Sequence, residues 1–316
     1  MTAFAQMQYT AEGSSDVAKA RAIALTRSPT SNIVGKTFDR FVTIWFENTD
    51  YSMAAGDPNF QYLAKLGITL TNYVAITHPS QPNYVAAVGG STHGISNDNF
   101  HRISSDQKTI IDLLEAKGVS WGVYGEDSPY SGFQGNYVNQ ENGKNDYVRK
   151  HNPVISYDSV TTNTDRLAQT KNFTMFDQDL AKNNLPQWMF ITPNMTNDGH
   201  DSSVTAAGNF VRSFVEPLLS NPHFMKRTLV LISKTNPFSS PRLEDLADKF
   251  AAFDETESYS SDNKVFSLLL GDAVPASAYG TTSSSSYNHY SQMATVEQNW
   301  DLGNLGLGDK DAAAFY

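Results

Sequence analysis

Apolar and polar residues follow one another along the chain in blocks that predict strands and helices in turn. Apolar runs rich in β-branched and aromatic residues predict buried strands at 38–46, 68–76, 119–124, 187–192, 227–233 and 265–270. Segments with apolar residues at helical spacing predict helices at 16–26, 57–67, 108–117, 175–182, 202–219 and 289–300. This alternation is typical of an α/β fold, with a mainly parallel sheet covered by helices on both faces.

Two regions depart from this alternation. Residues 1–36 are polar and predict an N-terminal extension that carries one helix. Residues 131–152 are rich in Gly, Asn and Tyr with little periodicity, and predict a long loop. Loops of that length in compact domains are often functional. Residues 1–316 are expected to form a single domain.

The segment THPSQPNY, residues 77–84, lies between a predicted strand and a predicted helix. Pro82 fits the first turn of that helix, and Ser80 stands where an N-cap residue would. A serine there faces free backbone N–H groups and the positive end of the helix dipole, which stabilise negative charge. Ser80 is therefore a candidate nucleophile for attack on phosphorus or a carbonyl carbon, although a simple N-cap role also explains it.

Polar clusters follow several of the predicted strands, and the carboxyl ends of parallel strands meet at one edge of a sheet. The clusters lie at 47–48, 77–83, 197–200 and 253–255, with a further one at 288–290. Their carboxylate, amide and hydroxyl oxygens suit a divalent cation such as Mg, Ca or Mn. Their histidines add possible ligands or proton donors. Taken singly, each cluster is equally explained as a turn or a helix start.

Composition narrows the class of protein. Of 316 residues, 40% are hydrophobic and 18% charged, as in folded globular proteins. The net charge of -10 argues against nucleic acid as a general partner, and an anionic substrate would need a local positive centre. The chain contains no cysteine, so neither a disulfide nor thiol chemistry is available. No apolar run reaches the roughly 18 residues of a membrane span.

Several features favour a secreted glycoprotein in its mature form. Charge is low, Ser, Thr, Asn and Tyr are abundant, and N-glycosylation sequons begin at Asn172 and Asn194. The first ten residues lack the charged start and apolar core of a signal peptide, so a leader is not expected in this chain.

Eight segments together resemble a known family: VTIWFEN, THPSQPNY, GGSTHGI, YVRKHNP, FITPNMTNDGHD, FDETES, VFSLLLGDAVP and YNHYS. They resemble the phosphoesterase family that contains fungal secreted acid phosphatases and bacterial phospholipase C, and most closely the fungal acid phosphatases. The resemblance runs from about residue 41 to residue 309. It implies an alkaline-phosphatase-like α/β core, one divalent metal ion at the carboxyl ends of the strands, and hydrolysis of small phosphate monoesters.

The resemblance also implies roles for individual residues. The implied metal ligands are Glu47, Asn48, Ser80, Asp254 and Glu255. The implied catalytic residues are Ser80 as nucleophile, with His200 and His289 as alternative proton donors to the leaving group. The implied substrate contacts are His78, Asn83, Asp198, His151 and Lys150, of which His78 would also orient Ser80. In that scheme the metal polarises a phosphoryl oxygen and lowers the pKa of the Ser80 hydroxyl.

One segment departs from the family pattern. There, the strand ending near residue 233 should lead directly into Phe253-Asp254-Glu255, but residues 234–252 intervene. Either this insertion is a surface excursion, after which 250–253 re-enters the sheet, or it results from an unspliced intron or gene-model artefact. In the second case the metal site is damaged and activity is weak or absent.

Three functions therefore compete. The leading hypothesis is an acid phosphatase. A phospholipase C or phosphodiesterase of the same family would need room for a second ester group, which the 131–152 loop would decide. A catalytically impaired secreted binding protein is supported by the insertion. The sequence identifies neither the metal nor the oligomeric state.

Overall fold

The computed structural model describes residues 14–47, 50–139, 143–233 and 263–315. The predictions for Asn48, Asp254, Glu255 and the 234–252 insertion lie outside these residues. The predicted α/β fold is confirmed: the described residues form a central eight-stranded sheet with helices packed against it.

The longer strands lie in the predicted apolar runs, whereas the short strands at 137–138, 145–147, 170–171, 281–283 and 287–288 were not predicted. The bounds of the strands are β1 (Arg40–Trp45), β2 (Ile68–Leu70), β3 (Tyr73–Val74), β4 (Trp121–Gly125), β5 (Tyr137–Val138), β6 (Asn145–Tyr147), β7 (Thr170–Lys171), β8 (Trp188–Thr192), β9 (Thr228–Ser233), β10 (Ser267–Leu270), β11 (Thr281–Ser283) and β12 (Tyr287–Asn288). The order in the central sheet is β11-β2-β10-β9-β1-β8-β4-β7. β10 runs antiparallel to β2 and β9, and the other neighbouring pairs are parallel.

The helices likewise follow the periodic segments. Their bounds are α1 (Ser14–Ile23), α2 (Tyr51–Gly56), α3 (Pro58–Ala64), α4 (Ser80–Gly89), α5 (Ile110–Lys117), α6 (Asp158–Thr161), α7 (Thr164–Leu167), α8 (Phe173–Ala181), α9 (Val204–Leu219), α10 (Pro222–Met225), α11 (His289–Trp300) and α12 (Gly308–Asp311). Short 3-10 helices occupy Arg149–His151 and Ala276–Ala278. Within the described residues, no helix is long and apolar enough to cross a membrane.

Helices cover both faces of the sheet, as β1 shows. Successive residues of an extended chain point to opposite faces. The Trp45 ring contacts Tyr84 of α4 and His289 of α11, at 4.8 and 4.5 Å between centroids. The Phe46 ring, next along the chain, contacts Phe60 of α3 and Phe210 of α9. This two-sided cover explains why β1 reads as an unbroken apolar run rather than an alternating one.

Helix α4 lies in the interior, and all of its residues are buried. It ends at Gly90, whose left-handed backbone (φ 68°) is a conformation that glycine adopts without steric cost. α4 packs against α11, and the Gln292 side chain links both helices to the sheet. Its Nε2 donates to Ala87 O and its Oε1 accepts from Thr43 Oγ1 of β1. The start of α4 is thereby fixed relative to the end of β1.

Three local predictions need correction. The 68–76 strand is broken by a turn at 71–72, because the Thr71 N–H bonds to Ser283 and the chain then pairs as β3 with β12 in a separate sheet. The predicted 131–152 loop contains the β5–β6 hairpin and the Arg149–His151 helix. Pro79, not Ser80, occupies the N-cap of α4, so Ser80 is its first helical residue.

Candidate active site

Glu47 lies two residues beyond the end of β1, and its side chain is fully buried. Two hydroxyls of α4 bond to its carboxylate: Ser80 Oγ donates to Oε2 at 3.0 Å, and Tyr84 Oη donates to Oε1 at 2.7 Å. Residues four apart on a helix lie on the same side, so the spacing of Ser80 and Tyr84 brings both hydroxyls to one carboxylate. Bonds to both oxygens hold the Glu47 carboxyl group in one orientation.

The loop after β8 meets the loop after β1, as expected for neighbouring parallel strands. The Glu47 N–H donates to the Asp198 carbonyl at 3.0 Å. Asp198 is buried, and its Oδ1 accepts from the backbone N–H of His200 at 2.7 Å. Gly199, between them, has φ 100°, a value that side-chain-bearing residues rarely adopt. The turn therefore fixes Asp198 and His200 together beside Glu47.

His151 connects these two loops. Its Nε2 lies 3.1 Å from Glu47 Oε1, and its Nδ1 lies 3.5 Å from Asp198 Oδ2. Its ring stacks on that of Tyr84, with centroids 5.1 Å apart and planes at 13°. The short helix carrying His151 is anchored by Arg149, whose Nη2 donates to the carbonyls of Ile155 and His101.

Lys150 brings a positive charge to this group. Its Nζ donates to Asp98 Oδ2 at 2.9 Å and lies 3.4 Å from His200 Nε2. Asp98 Oδ1 accepts from the backbone N–H of Gln81, which follows Ser80. Asp98 thus ties Lys150 to the beginning of α4.

Burial lowers the pKa of both histidines. The pKa of His151 lies well below its ordinary value, chiefly because of burial and then because of nearby Lys150 and His200. The pKa of His200 is lowered to about 4 by burial and by Lys150, against the opposing effect of Asp201. Both imidazoles are therefore neutral near neutral pH, the form that binds metal ions.

Asn83 fixes the loop that precedes Ser80. Its Oδ1 accepts from the N–H groups of Ile76 and Thr77 at 3.1 and 3.0 Å, and its Nδ2 donates to Thr77 O at 2.7 Å. His78 lies in this loop and is half-buried. These bonds hold the backbone in place, and the substrate contacts expected of Asn83 and His78 stay predictions.

His289 begins α11 and is fully buried. Its Nδ1 lies 3.2 Å from Tyr73 Oη. The Trp45 ring contacts both His289 and Tyr84, at 4.5 and 4.8 Å between centroids. His200, by contrast, offers a nitrogen directly to the group.

Three residues of the site are arranged so that they could hold a metal ion. Ligand atoms of Glu47, His151 and His200 all lie within 4.8 Å of one another. His151 Nε2 is buried and, despite its closeness to Glu47, has no hydrogen-bond partner among the described residues. A buried, neutral nitrogen beside a carboxylate fits a divalent cation. This group shares Glu47 with the ligand set implied by the resemblance, whose Asn48, Asp254 and Glu255 lie outside the described residues.

Sequence reasoning missed two residues of this site. The i, i+4 spacing of Ser80 and Tyr84 was a signal for Tyr84, because it places both side chains on one face of α4. Asp98 lies in a loop without periodicity, and its contact with Lys150 spans 52 residues. No signal in the sequence pointed to it.

Comparison with known proteins identifies the class. The model of the phosphoesterase family matches residues 31–303, so the chain belongs to this family. It is 51% identical to an acid phosphatase of Aspergillus fumigatus over 283 residues, covering 89% of this chain and 59% of that protein. It is 50% identical to the phosphate-repressible acid phosphatase of Penicillium chrysogenum over 294 residues, covering 93% of this chain and 66% of that protein. The chain thus spans less than two thirds of the length of either relative.

The fold also matches solved structures. A protein of the alkaline phosphatase superfamily from Vibrio parahaemolyticus superposes with a TM-score of 0.52 at 10% identity, over 95% of this chain and 78% of that one. At that identity the match concerns the fold alone. The expected alkaline-phosphatase-like core and the family resemblance are both confirmed.

Proposed function

We propose that this chain is an acid phosphatase that hydrolyses phosphate monoesters with Ser80 as nucleophile. The observation that carries the proposal is the position of Ser80 in the first turn of α4 with its Oγ bonded to the buried Glu47 carboxylate. The names of the two fungal relatives support the same activity.

The proposed reaction proceeds in two displacements. The Glu47 carboxylate holds the Ser80 hydroxyl hydrogen, which leaves oxygen lone pairs free for attack on phosphorus. As the bond from Ser80 Oγ to phosphorus forms, the Ser80 proton passes to the Glu47 carboxylate, the bond from phosphorus to the ester oxygen breaks, and that oxygen receives a proton from a neighbouring histidine. The positive end of the α4 dipole favours the developing negative charge. Water then attacks the phosphoserine and gives a proton to the histidine, the bond from phosphorus to Ser80 Oγ breaks, and Glu47 returns its proton to Ser80 as phosphate leaves.

A divalent cation belongs to this proposal. Glu47 and Ser80 would bind it, with Asn48, Asp254 and Glu255 as further ligands implied by the resemblance; Mg, Ca or Mn suits these oxygen ligands. When bound, the ion would neutralise charge on the phosphoryl oxygens and favour the ionised form of the serine hydroxyl.

We assign protonation of the leaving group to His200, whose pKa of about 4 in the substrate-free protein would rise when an anionic phosphoryl group binds beside it. It is half-buried, bonds through Nδ1 to Asp201 at 2.9 Å, and lies beside Lys150. His289 is the less suitable of the two candidates because it is fully buried and its Nδ1 lies 3.2 Å from Tyr73 Oη. Lys150, Asp198 and His151 are the proposed substrate contacts, since they surround the Ser80–Glu47 pair and include a positive charge.

The location of the protein and its modification also belong to the proposal. Secretion and glycosylation at Asn172 and Asn194 remain predictions from composition and sequons. Both asparagines are half-buried: Asn172 Nδ2 donates to Ser128 O, and Asn194 Nδ2 donates to Asp127 Oδ2. Mass spectrometry of tryptic peptides before and after glycosidase treatment of the protein secreted by a fungal host tests both.

Hydrolysis of a monoester against a diester tests the activity. The purified protein is assayed near pH 5 on p-nitrophenyl phosphate and on bis-p-nitrophenyl phosphate, with added Mg²⁺ or Mn²⁺ and with EDTA. We expect faster hydrolysis of the monoester and loss of activity with EDTA. Faster hydrolysis of the diester would instead support the phosphodiesterase alternative. A folded protein that hydrolyses neither would support the impaired binding protein.

A further inference from the structure

The two oxygens of the Glu47 carboxylate have different hydroxyl partners from the same helix. Oε2 accepts from the nucleophile candidate Ser80, whereas Oε1 accepts from Tyr84. A carboxylate held by one hydrogen bond can still rotate about its last side-chain torsion, because such torsions are broad. A second hydrogen bond on the other oxygen removes that freedom. Tyr84 therefore helps to fix the plane of the Glu47 carboxylate while Ser80 bonds to its other oxygen.

The ring of Tyr84 also positions a second residue of the site. It stacks nearly parallel to the His151 imidazole, whose Nε2 lies beside Glu47 Oε1. The Tyr84 ring also packs against the rings of Trp45 and Phe190, with centroids 4.8 and 5.9 Å apart. Because Tyr84 is fully buried among these rings, it has little freedom to move. It holds the plane of His151 as well as the carboxylate of Glu47.

Core packing alone does not account for the hydroxyl. Phenylalanine would bury the same ring without removing a polar group from water, and a buried hydroxyl is costly unless it is bonded. The Tyr84 hydroxyl makes a 2.7 Å bond to the Glu47 carboxyl group at the centre of the site. That choice of residue indicates a role in orienting Glu47.

We propose that Tyr84 is a positioning residue that sets the affinity of the site for a divalent cation by fixing Glu47 and His151. The inference rests on the proposed function, since it assumes that Glu47 binds the ion. Partners of this kind, which orient a ligand without touching the metal, typically contribute about 10- to 100-fold to metal affinity.

Tyr84→Phe tests the proposal, with Tyr157→Phe as the matched control. Tyr157 is also fully buried, and its hydroxyl donates to the Val85 carbonyl of the same helix at 2.8 Å, so the control removes a comparable bond away from Glu47. Metal-free protein is titrated with Mn²⁺ by calorimetry. We expect the dissociation constant of Tyr84→Phe to rise about 10- to 100-fold and that of Tyr157→Phe to stay at the wild-type value.

Kinetics provide a second readout. At low Mn²⁺, kcat of Tyr84→Phe for p-nitrophenyl phosphate should fall and then recover as Mn²⁺ is raised, with KM unchanged. A purely structural role would not give this metal-dependent recovery. Thermal unfolding in EDTA shows whether each variant is folded.

The outcomes separate this inference from the proposed function. If wild type binds Mn²⁺ and Tyr84→Phe binds it equally well, the role of Tyr84 is wrong while the phosphatase stands. If both variants lose affinity equally, the effect belongs to α4 in general and the inference is also wrong. If folded wild type binds no Mn²⁺, the cation site itself is contradicted and the inference fails with it.

Discussion

Ser80 Oγ donates a hydrogen bond to Glu47 Oε2, across 33 residues of sequence and between the start of α4 and the end of β1. Both side chains are buried, and the surrounding backbone is fixed by Asn83 on one side and Asp198 on the other. The candidate nucleophile is thus oriented by the fold before a substrate binds. Such preorganisation is what allows polar groups to stabilise charge that develops during a reaction.

Removing His200 should slow the reaction without removing the cation. For His200→Gln we expect kcat to fall about 10²- to 10⁴-fold, because a positioned acid no longer protonates the leaving oxygen. The loss should be larger for phenyl phosphate than for p-nitrophenyl phosphate, whose leaving group needs less assistance. Steady-state kinetics on both esters measure this, with exposed His223→Gln as control.

A Mn²⁺ titration of the same variants separates the two roles available to His200. Retained Mn²⁺ affinity in His200→Gln agrees with a proton donor. Lost affinity would show that His200 is a ligand, in keeping with its place beside Glu47 and His151, and would contradict the assignment as acid.

Asn83→Ala should destabilise the protein and also slow the reaction. The substitution leaves the N–H groups of Ile76 and Thr77 without their side-chain acceptor, and an unsatisfied backbone donor costs about 1–3 kcal/mol. We expect that loss of unfolding free energy in urea, together with a lower kcat. Asn209→Ala, which removes a solvent-exposed amide pair with Asn59, is the control. Unchanged stability with a raised KM would instead assign Asn83 to substrate binding.

Glu297 and Asp309 should make stability depend on pH. Glu297 on α11 is buried, and burial followed by the nearby Asp309 carboxylate raises its pKa to about 9. Asp309 in α12 is itself held by the backbone N–H of Leu307, and Tyr290 also faces it. The pair is therefore stable when Glu297 carries a proton.

The direction of this pH dependence follows from the raised pKa of Glu297. Below its ordinary pKa of 4.5, Glu297 is protonated whether the chain is folded or not, and its contribution is fully present. As the pH rises towards about 9, the unfolded chain ionises while the folded chain keeps the proton, so stability falls by at most about 1.4 kcal/mol per pH unit. Urea unfolding of Glu297→Gln between pH 5 and 9 should show a shallower decline than wild type. Equal slopes would contradict this, and Glu216→Gln, on a more exposed helix face, serves as control.

Much of this architecture could be predicted from the sequence because it depends on local patterns. The apolar run through Trp45 predicted a buried strand, and the polar residues after it predicted a site at that edge of the sheet. Ser80 was a candidate because it lies between a predicted strand and a predicted helix, although its place within the helix differed by one residue. Its surroundings depend on contacts between loops far apart in the chain.

The sequence did not predict the contacts between residues that lie far apart in the chain. The bond from Tyr84 to Glu47 and the link from Lys150 to Asp98 arise only when separate loops come together at the sheet edge. The break in the strand at 71–72 likewise depends on pairing with the distant Ser283. Hydrophobic periodicity carries no information about such distant partners, so these contacts became apparent only in the folded structure.

Hydrolysis of p-nitrophenyl phosphate near pH 5 by Ser80→Ala tests the central claim most directly. Ser91→Ala, just beyond the opposite end of α4, is the matched control, since its hydroxyl accepts from the His93 N–H and makes no contact with Glu47 among the described residues. We predict that Ser80→Ala lowers kcat by roughly 10³-fold or more, as expected for loss of a nucleophile, while Ser91→Ala stays near wild type. A folded Ser80→Ala protein with activity close to wild type would contradict the account.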